Sequence, residues 1–274
     1  MIKLIATDID GTLVKDSSPE IYPEIIEAIK ELTDQGIVFV VASGRSFESI
    51  RRMFSEVEDR IGYIAENGAH IVYKGENLLV TPMDEKWATE IIDQLDAYEK
   101  PFDYVVSTPK GSVLSTKSSN SFRELMETGY HNKITIADMK EAFSKENPVI
   151  KAAVFHPGSI RKEGETVLIP AWQDKVKTCM AGEEWVDFMD SSVDKGNALN
   201  FLQQFFGISK AETMAFGDNG NDVGMMKAAG ESYAVENAIS EVKQAAKYIC
   251  LSYDKKGVYE ILKSLYKEGG EKDA

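Results

Sequence analysis

The apolar run Ile37-Val38-Phe39-Val40-Val41-Ala42 constrains this chain more than any other stretch. Its length suits a strand, and its β-branched content favours one. With no polar residue alternating in it, the strand reads as covered on both faces, which is the habit of parallel sheets. The flanks agree. Upstream, Pro23 to Gln35 reads as a helix: proline stands at its start, Ile25, Ile26, Ile29 and Leu32 share one face, and Gly36 is placed to end it. Before that helix, Lys3 to Thr7 reads as a buried strand that stops at Asp8. Downstream, Ser43-Gly44-Arg45 turns into a helix from about Ser46 to Val57, and Tyr63 to Ala65 is another short strand. Strand, helix, strand, helix, strand implies a parallel sheet with helices packed on it.

The same rhythm returns near the other end. Lys195 to Phe206 reads as a helix with Asp194 as N-cap, Thr213 to Phe216 as a strand, and Asp222 to Ala229 as a short helix. Ser232 to Val235 reads as a strand and Gly257 to Tyr266 as a closing helix, followed by a polar tail from Lys267. The middle differs. A helix over Glu85 to Tyr98 precedes Tyr104–Ser107 and Ser112–Ser115, which flank Pro109-Lys110-Gly111 in the manner of an antiparallel hairpin. Val149 to His156 and Val176 to Met189, broken at Gly182, supply further strands. The expected fold is therefore α/β. Residues 1–82 and 188–274 form a Rossmann-like parallel sheet with helices on both faces, and residues 83–187 form an inserted α+β domain.

Charge and composition exclude some functions. No stretch approaches the roughly 18 apolar residues that span a bilayer, and Met1 to Ala6 runs into a charged turn at Asp8, unlike a signal peptide. A net charge of −14 opposes binding to nucleic acid or an anionic membrane. It also means that an anionic substrate must be attracted locally, by lysine, arginine or a metal. The two cysteines, Cys179 and Cys250, make no disulfide framework, so a reducing cytoplasm is expected. The sequence is compatible with a monomer or a homodimer.

Four short segments could carry chemistry. Asp8-Ile9-Asp10-Gly11-Thr12 follows the first strand, and ligands of open parallel sheets gather at such strand ends. Two close carboxylates are costly unless a cation lies between them or one is protonated; taken alone, the segment is equally a turn. Ser43-Gly44-Arg45 offers a hydroxyl, a glycine and helix N–H groups to an anion, and is equally an N-cap with a surface arginine. Gly217 to Asp222 holds two aspartates and two asparagines, hard oxygen donors suited to Mg²⁺. Lys195 opens a helix, where the dipole disfavours a cation unless an anion is bound beside it. Each has an ordinary explanation, but chance is a poor account of all four in this order, three of them at expected strand ends.

Together these segments resemble the four motifs of the haloacid dehalogenase superfamily: Asp-x-Asp-Gly-Thr-Leu at Asp8 to Leu13, Ser-Gly-Arg at Ser43 to Arg45, Lys195, and Gly-Asp-x-x-Asn-Asp at Gly217 to Asp222. Glu66-Asn67-Gly68, the large insert, and Val193-Asp194-Lys195-Gly196-Asn197-Ala198-Leu199 are similar to its Cof-type branch. The resemblance implies a phosphatase acting on a small-molecule phosphate ester, sugar phosphates foremost. Asp8 is then the nucleophile, forming an aspartyl-phosphate, and Asp10 the general acid and base. Mg²⁺ is held by the Asp8 side chain, the Asp10 carbonyl and the Asp218 side chain. Ser43, Gly44, Lys195 and Asn221 hold phosphoryl oxygens, while Asp222 and Arg45 stand one shell out. The insert becomes a cap that sets specificity, with His156, Lys151 and Arg123 as candidate contacts. A phosphomutase with the same intermediate, or a non-catalytic binder of phosphorylated metabolites, are the alternatives. Neither cysteine is followed six residues later by arginine, and His70, His131 and His156 are scattered, so other phosphatase chemistries lack their motifs.

Overall fold

The structure is a computed structural model that describes residues 1–15, 18, 20–98, 102–130, 132, 134–139 and 143–267. The tail beyond Lys267 and His131 lie outside the described residues. The chain divides into two compact units: Met1–Arg45, Ile50–Leu78 and Asp194–Ala274 form one, and Ser46–Ser49 with Leu79–Val193 form the other. In chain order the strands are β1 (Leu4–Asp8), β2 (Val38–Ala42), β3 (Gly62–Ala65), β4 (His70–Tyr73) and β5 (Glu76–Val80). The second unit carries β6 (Asp103–Thr108), β7 (Gly111–Ser115), β8 (Ile134–Ala137), β9 (Lys151–Phe155), β10 (Lys177–Met180) and β11 (Trp185–Met189). The first unit resumes with β12 (Thr213–Gly217), β13 (Glu231–Val235) and β14 (Tyr248–Cys250).

The first unit is built on an eight-stranded sheet ordered β14-β13-β12-β1-β2-β3-β4-β5. From β14 to β3 every neighbouring pair is parallel. Strand β1 is buried at every position, and the strands that follow it in the chain lie on both its sides, β2 and β3 on one and later β12, β13 and β14 on the other. That reversal opens a crevice at the carboxyl ends of β1 and its neighbours. Helix Pro23–Asp34 buries Ile25, Ile26, Ala28, Ile29 and Leu32, and Gly36 follows at φ +83°, where a side chain would be strained.

Several features depart from the sequence expectation. A helix over Ser46 to Val57 is instead an α-helix at Phe47–Met53 and a 3-10 turn at Ser55–Val57. Phe54, fully buried, turns the chain between them. The short helix expected from Asp222 starts at Val223, because the Asp222 side chain is engaged with the backbone of the preceding loop. The sheet is not wholly parallel: β4 runs antiparallel to β3. A two-residue turn, Lys74 (φ 49°) and Gly75 (φ 78°), then leads to β5, the pattern of a hairpin turn. Strands β4, β5, β8 and β14 and the helical segments after Asn120, Arg161 and Ser240 went unread in the sequence.

The second unit has its own sheet, ordered β10-β11-β9-β6-β7-β8. The β6–β7 hairpin is antiparallel, whereas β8 lies parallel to β7. One face packs Val106, Val113, Val154 and Phe188 against Ile91 and Ile92 of helix Glu85–Ala97 and against Trp172. The other buries Val105, Leu114 and Phe155 under Phe122 and Met126. Strand β11 lies whole within this unit, so a boundary at 187/188 would cut a strand; the division falls at Val193/Asp194. No helix among the described residues is long and apolar enough to cross a membrane.

Candidate active site

Asp8 is the last residue of β1 and only 5% exposed. Lys195, the first residue of helix Lys195–Phe206, is fully buried. Its Nζ donates to Asp8 Oδ1 at 2.6 Å and to Asp222 Oδ1 at 2.7 Å. A lysine at a helix start opposes the dipole, and these two carboxylates supply the compensation. The helix is placed by Asp194, whose Oδ1 accepts from Gly196 N at 2.8 Å and Asn197 N at 3.3 Å. A Cβ on Gly224 would lie 2.2 Å from that same oxygen, so glycine is needed there for the cap to sit.

Asp222 also orders the loop after β12: its Oδ2 accepts from the backbone N–H groups of Asp218 and Asn219 at 3.0 and 3.1 Å. Asp218 Oδ1 accepts from Thr12 Oγ1 at 2.9 Å. One oxygen each from Asp8, Asp218 and Asp222 lie within 4.8 Å of one another. Asp8 Oδ2 is buried without a hydrogen-bond partner. Burial raises the Asp8 carboxyl well above its ordinary value; the Asp222 and Asp218 carboxylates push it the same way, and Lys195 acts against them. Burial also acts to lower the Lys195 ammonium, but Asp222 and Asp8 outweigh it and hold Lys195 charged. Three clustered carboxylates facing one ammonium, with an orphaned buried oxygen, form a donor set that fits a hard divalent cation such as Mg²⁺.

The structure separates Asp10 from this cluster. Both of its oxygens are taken by Arg45, with Nε to Oδ2 at 2.8 Å and an Nη to Oδ1 at 2.5 Å, a bidentate pair. Arg45 is held further by the Ser18 carbonyl at 3.0 Å and the Met53 sulfur at 3.2 Å. Arg45 thus binds Asp10 rather than lying loose on the surface. Asp222, which the sequence placed one shell out to orient Lys195 or a metal-bound water, does hold Lys195 Nζ, and it also lies within the carboxylate cluster. Ser43 is buried, and its Oγ accepts from Arg45 N at 3.1 Å, so the hydroxyl serves as a turn cap. Gly44 follows, and Asn221 Nδ2 donates to Asn67 Oδ1 at 2.9 Å.

Three participants carried no role in the sequence reading. Thr12 ties the β1 loop to Asp218, Asn67 meets Asn221, and Asn237 Nδ2 holds the Gly11 carbonyl at 2.7 Å. The Glu66-Asn67-Gly68 motif was the available signal for Asn67, but nothing local pointed to Asn237. In the second unit, Lys151 pairs with Asp187 at 3.6 Å, both buried, and Arg123 donates to the Thr116 carbonyl at 2.7 Å. The His156 ring meets Phe102 edge-on, with centroids 5.6 Å apart. His70 bonds Asn77 at 2.7 Å across the β4–β5 hairpin.

A buried, under-neutralised carboxylate at the switch point of an α/β sheet, beside a lysine and an anion-accepting turn, suits a nucleophile acting on an anionic group. Residues 5–262 match the haloacid dehalogenase-like hydrolases, and the chain belongs to that family. It is 28% identical over 266 residues to the Escherichia coli 5-amino-6-(5-phospho-D-ribitylamino)uracil phosphatase YbjI, covering 97% of each chain. It is 26% identical over 283 residues to the Bacillus subtilis phosphatase of the same designation, YwtE, covering 96% of this chain and 98% of that one. A solved structure from Eubacterium rectale is 39% identical, with TM-score 0.84 over 96% of this chain and 99% of that chain. The protein is a phosphatase.

Proposed function

We propose that this phosphatase is Mg²⁺-dependent, works through a covalent aspartyl-phosphate on Asp8, and acts on small phosphorylated metabolites, sugar phosphates first among them. The observation that carries the reading is the Asp8 carboxylate itself, whose Oδ1 is fixed by Lys195 while Oδ2 is buried without a partner. An ionised carboxylate attacks phosphorus without a base to activate it; burial favours the protonated Asp8, and the charge of Lys195, with that of a bound cation, would favour the ionised form. A bond forms between an Asp8 oxygen and phosphorus as the bond from phosphorus to the leaving oxygen breaks, and Asp10 gives that oxygen its proton. Water then attacks phosphorus, its proton passes to Asp10, and Asp8 is released with inorganic phosphate. For this role Asp10 has to leave Arg45, so their ion pair is the resting arrangement.

Asp8 and Asp218 are the side chains assigned to Mg²⁺, with the Asp10 carbonyl and with Asp222 adjoining. When bound, the ion supplies positive charge that offsets repulsion between carboxylate and phosphate. Lys195, Ser43, the Gly44 backbone and Asn221 hold phosphoryl oxygens as charge redistributes. The attraction is then local, as the acidity of the chain requires. Both named relatives act on a phosphorylated ribityl chain, which supports testing sugar and sugar-alcohol phosphates first. Cys179 and Cys250 form no disulfide with each other, which fits a reducing cytoplasm.

The test is phosphate release from a panel that includes sugar phosphates and 5-amino-6-(5-phospho-ribitylamino)uracil, with Mg²⁺ or EDTA and an Asp8→Asn control. Release that needs Mg²⁺ and disappears in the control is expected, together with an acid-stable, hydroxylamine-labile phosphate on the peptide containing Asp8. Activity surviving in Asp8→Asn overturns the covalent route. Isomerisation dependent on a bisphosphate, without phosphate release, would instead mark a phosphomutase.

A further inference from the structure

After β3 the chain makes a turn that L-residues seldom adopt. Glu66 (φ 49°), Asn67 (φ 57°) and Gly68 (φ 108°) are successively left-handed, and the first two carry side chains. Such conformations persist only where the surroundings impose them, and they gather at functional sites. Here the surroundings are the other loops of the site. Glu66 N donates to the Arg45 carbonyl at 3.0 Å and Asn67 N to the Ser43 carbonyl at 2.9 Å. Asn67 Oδ1 accepts from Asn221 Nδ2 at 2.9 Å. A Cβ on Gly44 would stand 3.2 Å from Asn67 Oδ1 and 3.3 Å from Nδ2, so the carboxamide lies directly against the Gly44 backbone. A Cβ on Gly68 would stand 2.8 Å from the Asp194 carbonyl, at the start of the helix that carries Lys195. Asn67 is 5% exposed. Residues 66–68 therefore touch each loop that bears a proposed phosphoryl ligand: 43–45, 194–195 and 219–222.

We infer that Asn67 is a positioning residue for the phosphoryl pocket, its carboxamide orienting the Asn221 amide and setting the Ser43–Gly44 turn at its working distance. The inference rests on the phosphoryl-binding role proposed for Ser43, Gly44 and Asn221. By accepting one hydrogen of the Asn221 amide, Asn67 fixes that amide's rotation and leaves its second hydrogen for a phosphoryl oxygen. A small displacement in such a site is costly, since a shift of about 1 Å can lose about 100-fold in rate.

The decisive variant is Asn67→Gly, which removes the carboxamide and tolerates the left-handed backbone better than any other residue. With p-nitrophenyl phosphate and Mg²⁺, kcat/KM is expected to fall about 10- to 100-fold. The inhibition constant of orthovanadate, which fills the phosphoryl site, should rise by a similar factor while circular dichroism stays unchanged. In combination with Asn221→Ala, the double variant should be no worse than about twofold below the poorer single one, because both remove the same placement. Asn67→Asp is the second variant. It keeps an acceptor for Asn221 and the left-handed backbone, but sets a negative charge beside the pocket, and should weaken vanadate further. A folded Asn67→Gly with wild-type kcat/KM and vanadate inhibition overturns the inference, as do effects of Asn67→Gly and Asn221→Ala that multiply independently. If the wild type itself neither released phosphate nor bound vanadate, the reading of the pocket would fail, and the inference with it.

Discussion

Replacing Lys195 by methionine tests the electrostatics of the site without requiring any substrate. The ammonium is fully buried and donates to Asp8 and Asp222 at once. Methionine keeps most of the length and removes the charge, leaving Asp8, Asp218 and Asp222 clustered with no cation in metal-free buffer. Breaking a buried pair from one side costs about 3–5 kcal/mol. A limit follows from protonation: a carboxylate of ordinary value 3.8 can be neutralised for about 1.4 kcal/mol per pH unit above that value. The deficit relative to wild type is therefore at most about 4 kcal/mol at pH 7 and about 1.6 kcal/mol at pH 5, since burial raises Asp8 in the wild type too and part of this cost is already present there. The sign follows from proton binding. The folded variant holds a proton on Asp8 that the unfolded chain releases, so its stability is intact below pH 3.8 and declines as pH rises.

Adding Asp222→Asn to Lys195→Met removes one repelling charge, and should recover more than about 1 kcal/mol at pH 7. Trp87, Trp172 and Trp185 all lie in the second unit, so tryptophan fluorescence does not report on β1. The measurement is hydrogen exchange of the peptide covering Leu4–Asp8 in EDTA, supported by urea unfolding followed by far-UV circular dichroism. A deficit below about 1 kcal/mol at pH 7, or one that does not change between pH 5 and 7, would refute the argument.

Asp8→Asn should be inactive yet more stable than wild type in EDTA, because it removes a buried carboxylate whose ionised form is penalised; a lower thermal midpoint counts against this. Mg²⁺ at about 100 times its Kd should stabilise the wild type by about 2.7 kcal/mol and Asp8→Asn by less, read by thermal unfolding. Gly224→Ala places a Cβ 2.2 Å from Asp194 Oδ1. Loss of that cap costs about 1–2 kcal/mol, and the accompanying shift of Lys195 should lower kcat more than stability falls; unchanged kinetics would show that the cap does not place Lys195. Burial pushes the Cys250 thiol from 9.0 up to about 11, so at pH 8 its thiolate fraction is about 100-fold below that of an unperturbed thiol. A disulfide reagent at pH 8 should modify Cys179 first and Cys250 only on unfolding or as pH approaches 11; two equally fast thiols would contradict this.

Much of the first unit was legible because its signals are local. The apolar run at β2, the proline and glycine that bound helix Pro23–Asp34, and the Asp194 cap each depend on residues within a turn or two, and they read the same in sequence and in structure. The β4–β5 hairpin was less legible, since its strands are short and its turn, Lys74-Gly75, carries only one glycine. In the second unit the β6–β7 hairpin could be read from its turn, but the position of β8 parallel to β7 could not. Parallel pairing joins distant segments and leaves no turn to recognise.

The acidic pair shows the same division. Sequence alone determined that Asp8 ends a buried strand and that acidic, basic and glycine-bearing loops would meet at one sheet edge, because strand ends in a parallel sheet share an edge. Only the tertiary structure decided what each carboxylate faces. Asp8 meets Lys195 across 187 positions, Asp10 meets Arg45 across 35, and Asn67 meets Asn221 across 154. Such pairings depend on strand order and loop conformation, in which a rotation of one backbone angle exchanges one partner for another, and no periodicity along the chain records that choice.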